Sequence, residues 1–333
     1  MSEQTFDIYE KPALGTGKFS DPDRTVKGDQ RASVDFVQLD TLWINTGSLC
    51  NIECVSCYIE SSPTNARLSY FSLSDANGFF DEIERMRLGT TEIGFTGGEP
   101  FMNPDMIAMA ASALKRGFKV LILTNAMQPM MRPRIKQGLL ELKNTYGDAL
   151  ALRVSLDHYS ETLHDMERGR GSFARAIAGI DWLVENGFAI AIAGRTCWNE
   201  AEADGRQGYQ KLFQERSWLL DANNHTELVL FPEMDEEAEV PEITTECWDV
   251  LSVKPSAMMC ATSRMVVKRK GEKNPAVLPC TLLPYDAAFE MGSTLAHSFS
   301  ADGGSFSKGA VKLNHPHCAK FCVLGGGSCS AAE

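Results

Sequence analysis

This sequence predicts an α/β fold built as an open, partial parallel barrel, and three observations support that reading. Strand-like segments alternate about six times with segments of helical periodicity between residues 37 and 232, and such alternation implies a parallel sheet. Six units are too few for the usual eight-fold closed ring, so a partial (β/α)6 TIM-like barrel is expected. Beyond it lie an acidic, proline-containing linker at 233–246 and a remainder at 247–333 that is rich in glycine and holds six of the ten cysteines. That remainder has too little core to stand alone and reads as a small metal-supported domain.

Taken in order, residues 1–36 are polar without periodicity and read as an N-terminal arm. Alternating apolar and polar residues predict the first strand at 37–46. Phe79, Phe80, Ile83 and Met86 stand at helical spacing and predict a helix over 74–88 that closes at Gly89. A strand follows at 91–96. Asn103 as N-cap and Pro104 at the first helical position start a helix that stops at Gly117. The alternation continues with a strand at 119–124, a helix at 132–146 and a strand at 150–156. Ser172 caps a helix running to 187, and a strand at 188–196, a helix at 203–220 and a last strand at 227–231 complete the series.

The 333 residues are 44% hydrophobic and 23% charged, as in ordinary globular proteins. The polar, acidic N-terminus lacks the apolar stretch of a signal peptide. No apolar run approaches the roughly 18 residues needed to span a bilayer. Ten cysteines in such a chain suggest metal or redox chemistry in a reducing compartment, so a cytoplasmic location is expected. A net charge of −12 argues against a sequence-independent grip on nucleic acid.

Chemistry concentrates in three places. Cys50, Cys54 and Cys57 form a C-x3-C-x2-C loop followed at once by Tyr58. Three thiolates are an incomplete ligand set, because structural zinc sites and ferredoxin clusters use four protein ligands. A cluster held here would keep one metal position open, as catalytic sites do. Gly97-Gly98-Glu99-Pro100 follows the second strand. Its glycines permit close backbone approach, and Glu99 is able to accept hydrogen bonds from an ammonium group. Alone it reads more readily as a tight turn. The third place is Cys260, Cys280, Cys318, Cys322 and Cys329, where Cys260 and Cys280 bracket a sequence that reads as a hairpin and is rich in basic residues from Arg264 to Lys273. A four-cysteine zinc site is the alternative for this set, and His315 and His317 are further zinc candidates. Cys197 and Cys247 have no partner spacing and read as inert thiols.

Together the first two motifs resemble those of the radical S-adenosylmethionine (SAM) superfamily, which carries C-x3-C-x2-C-aromatic after the first strand and G-G-E-P after the second. The resemblance covers about residues 36–232. It extends to Ser155-Leu156-Asp157, His164-Asp165, the run Arg168 to Phe173 and Gly179-Ile180, similar to the subgroup with a C-terminal SPASM or twitch domain. His158 stands where that subgroup usually has glycine. The resemblance implies that Cys50, Cys54 and Cys57 hold three irons of a [4Fe–4S] cluster and that SAM chelates the fourth. It implies that Gly97, Gly98 and Glu99 line the methionine amino group and that the Tyr58 backbone meets the adenine edge. Ser155 and Asp157 would lie near the ribose or the carboxylate, with Asn125 a further candidate. Arg168 and Arg195 would neutralise the carboxylate, unless they are solvated surface arginines. The implied chemistry is reductive cleavage of SAM to a 5′-deoxyadenosyl radical that takes a hydrogen from the substrate.

The spacing of the C-terminal cysteines is similar to the twitch pattern, which holds one auxiliary [4Fe–4S] cluster. Cys329 is then a substitute fourth ligand, a ligand to something else, or spare. Sulfatase-maturing relatives carry an acidic base after the second auxiliary cysteine, where this chain has Thr281, with Asp286 the nearest carboxylate. The expected activity is a net oxidation or bond formation on a small metabolite or short peptide. The short arm favours these over a leader-bound precursor, and a peptide- or sulfatase-type maturase is the alternative. A flavodoxin or ferredoxin would supply electrons, docking on the basic hairpin. From another class, a non-catalytic iron–sulfur relay or zinc scaffold is the competing reading.

Overall fold

The computed structural model describes residues 17–196, 198–232 and 239–325. After a two-residue strand, β1 (Ser33–Val34), six strands run in chain order across one sheet. They are β2 (Thr41–Asn45), β3 (Glu92–Thr96), β4 (Lys119–Thr124), β5 (Leu150–Ser155), β6 (Ala189–Arg195) and β7 (Leu228–Phe231). Every neighbouring pair among them is parallel. The crossovers carry α1 (Leu73–Met86), α2 (Met106–Lys115), α3 (Gln128–Met131), α4 (Pro133–Tyr146), α5 (Glu161–Arg168), α6 (Ser172–Glu185) and α7 (Glu202–Glu215). This is the expected partial barrel. Among the described residues no helix is long and apolar enough to cross a membrane.

Successive strand residues face opposite ways, and the two sides pack into different cores. Leu42 and Ile44 of β2 join Val120 and Ile122 of β4 and Leu152 and Val154 of β5 against the helices. Trp43 and Leu121 turn inward to a second core, which includes Met259, Cys260, Cys280 and Cys318. Burial on both faces is why these strands read as near-continuous apolar runs.

The sheet does not end at residue 232. β8 (Ser263–Val267) pairs in parallel with β2, from Thr41↔Ser263 to Ile44↔Val266, and β9 (Ala276–Leu278) folds back antiparallel on β8. The expected hairpin therefore exists, and its first strand is part of the barrel sheet. The strand order is β7-β6-β5-β4-β3-β2-β8-β9. The remaining C-terminal elements are short: α8 (Cys247–Leu251), α9 (Met259–Thr262), α10 (Leu295–Ser298), β10 (Phe306–Ser307), β11 (Ala310–Lys312) and a π-helical stretch, Cys318–Leu324.

Two segments read as arm and linker are anchored where they are described. β1 pairs with β11, and the Arg31 guanidinium donates to the Glu242 carboxylate at 2.5 Å, with both side chains almost fully buried. Glu242 also accepts from the backbone amides of Phe19 and Val26. Residues 233–238 lie outside the described set.

Several helix ends depart from expectation. α1 ends at Met86 because Arg87 takes the left-handed conformation at φ 55°, two residues before Gly89. The regular turns of α2 begin at Met106, later than expected, but the Asn103 Oδ1 accepts from the Asp105 amide at 2.8 Å as a cap would, while its side-chain amide donates to the Thr46 and Phe71 carbonyls at 2.9 Å each. Ser172 lies inside α6 as its first residue. Its hydroxyl donates to Asp165, which also accepts from the Gly171 and Phe173 amides. The His164-Asp165 and Arg168 to Phe173 stretch is thus a local device that joins α5 to α6.

Candidate active site

β2 and β3 deliver both early motifs to the C-terminal rim of the barrel, and the backbone holds them together. Gly98 donates to the Gly47 carbonyl at 2.8 Å and Glu99 to the Leu49 carbonyl at 3.1 Å. Gly97 sits at φ +129°, a conformation that favours glycine, and a β-carbon on Gly98 would lie 2.1 Å from the Leu49 oxygen. These glycines therefore serve the close approach of the GGEP turn to the cysteine loop.

Glu99 is buried, and its carboxylate is engaged by its own chain. It accepts from Phe101 N–H at 3.2 Å, Thr124 Oγ1 at 2.8 Å and Asn125 N–H at 2.9 Å. It thus fastens the end of β3 to the end of β4 and is not among the residues lining the cavity described below. Burial pushes its carboxyl up to about 7 against those three hydrogen bonds. Asn125 donates to Asn51 Oδ1 at 2.9 Å and points the same amide at Cys50 Sγ, 3.9 Å away.

Past β5, Asp157 lies in a buried ion pair with Arg168, at 2.6 and 2.9 Å, and with Arg195 at 3.4 Å. Neither arginine is a solvated surface residue. Burial works against the Asp157 charge, but the Arg168 and Arg195 guanidiniums hold its carboxyl below the usual carboxylate range. Arg195 also donates to Ser56 Oγ at 2.6 Å, and Glu167 accepts from Ser56 N–H at 2.8 Å. The Glu167 carbonyl takes the Val55 amide at 2.9 Å. Glu167 and Ser56, which sequence reading missed, clamp the cysteine loop to α5 and β6. Nothing in a glutamate within a polar run signals such burial.

These groups surround one cavity with about 1290 Å³ of empty space, counting the part open to solvent. Cys50, Cys54, Cys57, Tyr58, Gly97, Gly98, Asn125, Ser155, Asp157, Arg168 and Arg195 all line it. The far wall comes from Phe231 and from Met259, Thr281, Leu282, Phe321 and Cys322 of the C-terminal segment. Burial pushes the Cys50 thiol up to about 12, with the nearby Glu99, Cys54 and Cys57 charges adding to it, and the Cys54 thiol up to about 11. Metal binding at such thiols displaces protons.

A second group of thiols lies behind that wall. Cys318 feels the charges of Cys280 and Cys260, and burial raises its thiol well above the ordinary value. Cys322 faces the cavity, four residues along the π-helical stretch. Cys329 and Cys197 lie outside the described residues. None of the eight described cysteines is in a disulfide bond. Among the described residues, no three Cys, His, Asp or Glu side chains are grouped to hold a single metal ion. Cys247 makes local contacts at 3.4 Å with the Thr244 amide and hydroxyl.

Two expectations near this wall need correction. The basic hairpin is solvated only in part: Arg264 is fully buried, Lys268 pairs with Asp75 at 3.3 Å and Arg269 pairs with Glu290, while Lys270 and Lys273 are exposed at its tip. Asp286 turns away from the site to cap its own turn at Ala288 N–H, 2.8 Å, and the Thr281 hydroxyl meets Met259 Sδ at 3.7 Å. His158, in the position usually held by glycine, is buried against Tyr159 and Trp198.

Residues 44–198 match the family model described as the Radical SAM superfamily. AlbA of Bacillus subtilis (strain 168), described as an antilisterial bacteriocin subtilosin biosynthesis protein, is 34% identical over 145 residues, 43% of this chain and 30% of that protein. Mycofactocin maturase MftC of Mycobacterium ulcerans (strain Agy99) is 30% identical over 142 residues, 43% of this chain and 36% of its own length. The matched stretch thus spans about a third of these curated relatives. Among solved structures, Streptococcus suis SuiB bound to S-adenosylmethionine superposes with a TM-score of 0.54 at 14% identity, covering 80% of this chain and 66% of SuiB. At that identity the likeness speaks to the fold.

Proposed function

Because this chain carries a radical SAM domain, whose family uses a [4Fe–4S] cluster and SAM, we propose that it is a hydrogen-abstracting enzyme acting on a peptide substrate. One observation carries the proposal: three cysteine thiols share one wall of a large cavity with Gly97, Gly98, Asn125 and Ser155, facing a wall from the C-terminal segment. That donor set fits a cluster with one open metal position, and the cavity leaves space for a nucleoside beside it. When bound, the cluster and SAM supply a radical able to take a hydrogen atom from a substrate C–H bond.

The protein's part is to bind, orient and exclude water. Cys50, Cys54 and Cys57 would hold the cluster. Asn125 would donate to the Cys50 sulfur, and Arg195 and Glu167 would keep the loop in place through Ser56. Backbone groups of Gly97 and Gly98 would receive the SAM amino group, with Glu99 fixing that turn from behind. Among the described residues Arg168 and Arg195 share one paired carboxylate, Asp157, which leaves positive charge for the SAM carboxylate. Apolar Leu282, Met259 and Phe321 would shield the substrate end. Cys260, Cys280 and Cys318, with Cys322 or Cys329, would hold an auxiliary [4Fe–4S] cluster. The peptide substrate rests on relatives named for bacteriocin biosynthesis and mycofactocin maturation. A ferredoxin or flavodoxin would supply electrons.

Anaerobically purified protein should release 5′-deoxyadenosine from SAM when reduced with dithionite. Cys54→Ala should abolish that release, and Cys260→Ala should spare part of it. The opposite pattern would refute the division of roles. Iron-replete wild type that releases none, with candidate peptides present, would refute the enzyme assignment.

A further inference from the structure

The C-terminal segment holds one charge that the proposed chemistry has not used. Arg264 on β8 is 0% exposed. Its guanidinium donates to the carbonyls of Cys260 at 2.7 Å, Ser263 at 2.8 Å and Gly309 at 3.3 Å, and its carbon lies 4.3 Å from the centre of the Phe36 ring. Nε has no hydrogen-bond partner among the described residues. The other buried arginines each have a carboxylate near them: Arg31 pairs with Glu242, Arg206 with Glu202, and Arg153 acts on Glu92; the partly buried Arg168 pairs with Asp157. No carboxylate pairs with Arg264 among the described residues; it lies instead against Cys260, whose carbonyl it bonds and which shares a buried cluster with Cys280.

A buried cation without a counter-charge is costly, because carbonyl dipoles and a ring face replace only part of its hydration. The cost falls if the neighbouring thiols carry an anionic centre. A thiolate-ligated iron–sulfur cluster is such a centre, and it becomes more anionic when reduced. A nearby positive charge at low dielectric therefore favours the reduced form.

We propose that Arg264 is the counter-charge of the auxiliary cluster and raises its reduction potential. The inference rests on the auxiliary-cluster reading above. A cluster tuned this way would be a better acceptor for the electron of the substrate radical left after hydrogen abstraction, the radical losing a proton to solvent as the product forms, and an oxidised ferredoxin or flavodoxin would take that electron on. Arg264 acts as a positioning residue for charge and touches neither substrate nor SAM.

The test compares Arg264→Lys, which keeps the charge, with Arg264→Gln, which keeps donor groups without it. Both are made in a Cys50→Ala/Cys54→Ala/Cys57→Ala background, where the auxiliary cluster is the one left, and titrated by EPR. The charge should survive in R264K, leaving its midpoint near that of the parent. R264Q should shift the reduced-to-oxidised ratio about tenfold at fixed potential, which is about 59 mV lower for a one-electron couple. Equal midpoints in R264Q and parent, or equal shifts in both variants, would overturn the proposal and leave Arg264 as a backbone clamp. If R264Q fails to hold a cluster, R264K against the parent decides: a midpoint that moves with the charge retained refutes the idea. A wild-type protein holding iron and sulfide for one cluster only would defeat the auxiliary-cluster reading itself, before any Arg264 variant is made.

Discussion

Gly98→Ala tests the physical link between the GGEP turn and the cysteine loop. The added β-carbon would lie 2.1 Å from the Leu49 carbonyl oxygen, 2.5 Å from its carbon and 2.9 Å from the Ser48 oxygen. Ordinary contact begins near 3.4 Å, so one strand of backbone must move by about 1 Å, and no flexible side chain is there to yield. Overpacking of this kind costs about 1–3 kcal/mol. Stretching the Gly98–Gly47 and Glu99–Leu49 hydrogen bonds, 2.8 and 3.1 Å long, adds roughly 1 kcal/mol each. The function suffers more than the fold, because Leu49 adjoins Cys50. A 1 Å misplacement of reacting groups can cost about 100-fold in rate. The assay is iron and sulfide content after anaerobic reconstitution, followed by dithionite-driven 5′-deoxyadenosine release. Gly78→Ala, inside α1 with nothing within 4 Å of its added carbon, is the control and should gain about 0.4–1 kcal/mol of stability. A Gly98→Ala protein that keeps full iron and releases product within about threefold of wild type would refute the reasoning.

Asp157→Asn leaves Arg168 and Arg195 buried without a counter-charge and should cost about 3–5 kcal/mol in urea unfolding. The native Asp157 carboxyl is held below its usual value, so its stabilisation is complete above about pH 4 and drains away as pH falls through the lowered native value; the variant should lose that part of the acid limb. Glu99 behaves in the opposite sense. Its carboxyl is pushed up to about 7, so the native state binds the extra proton, and apo-protein stability should fall as pH rises from about 4.5 through 7. Thermal melts of Glu99→Gln across that window should be flatter. Glu242→Ala orphans buried Arg31 and should lower stability by about 3–5 kcal/mol, whereas Glu242→Ala with Arg31→Met should cost less.

Much of the barrel was legible because its strands are buried on both faces. Apolar runs at 119–124 and 150–156 leave little choice of structure, and β4 matches its expected bounds. α5 was not legible: it spans eight largely polar residues whose order comes from Asp165 capping the next helix. The parallel partner of β8 was equally hidden, since a hairpin sequence announces its antiparallel neighbour and is silent about its other edge. At the site, residue types with rare spacing could be read, as with Cys50, Cys54, Cys57 and Gly97–Gly98. What escaped was the supporting ring of Glu167, Ser56 and the Asp157–arginine pairing. Glutamates and arginines look alike in sequence whether solvated or buried, and only the fold brings their partners to them.

The pairing of β2 with β8 has a consequence for how the chain is made. β2, with no exposed residue along its length, is the first barrel strand to leave the ribosome, yet one of its two neighbours arrives about 220 residues later. Until then its free edge is a template for any passing strand. The nascent barrel therefore waits, open on one side, for the very segment that carries the second group of thiols. Closing the sheet and bringing Cys260 and Arg264 beside the finished barrel are one event.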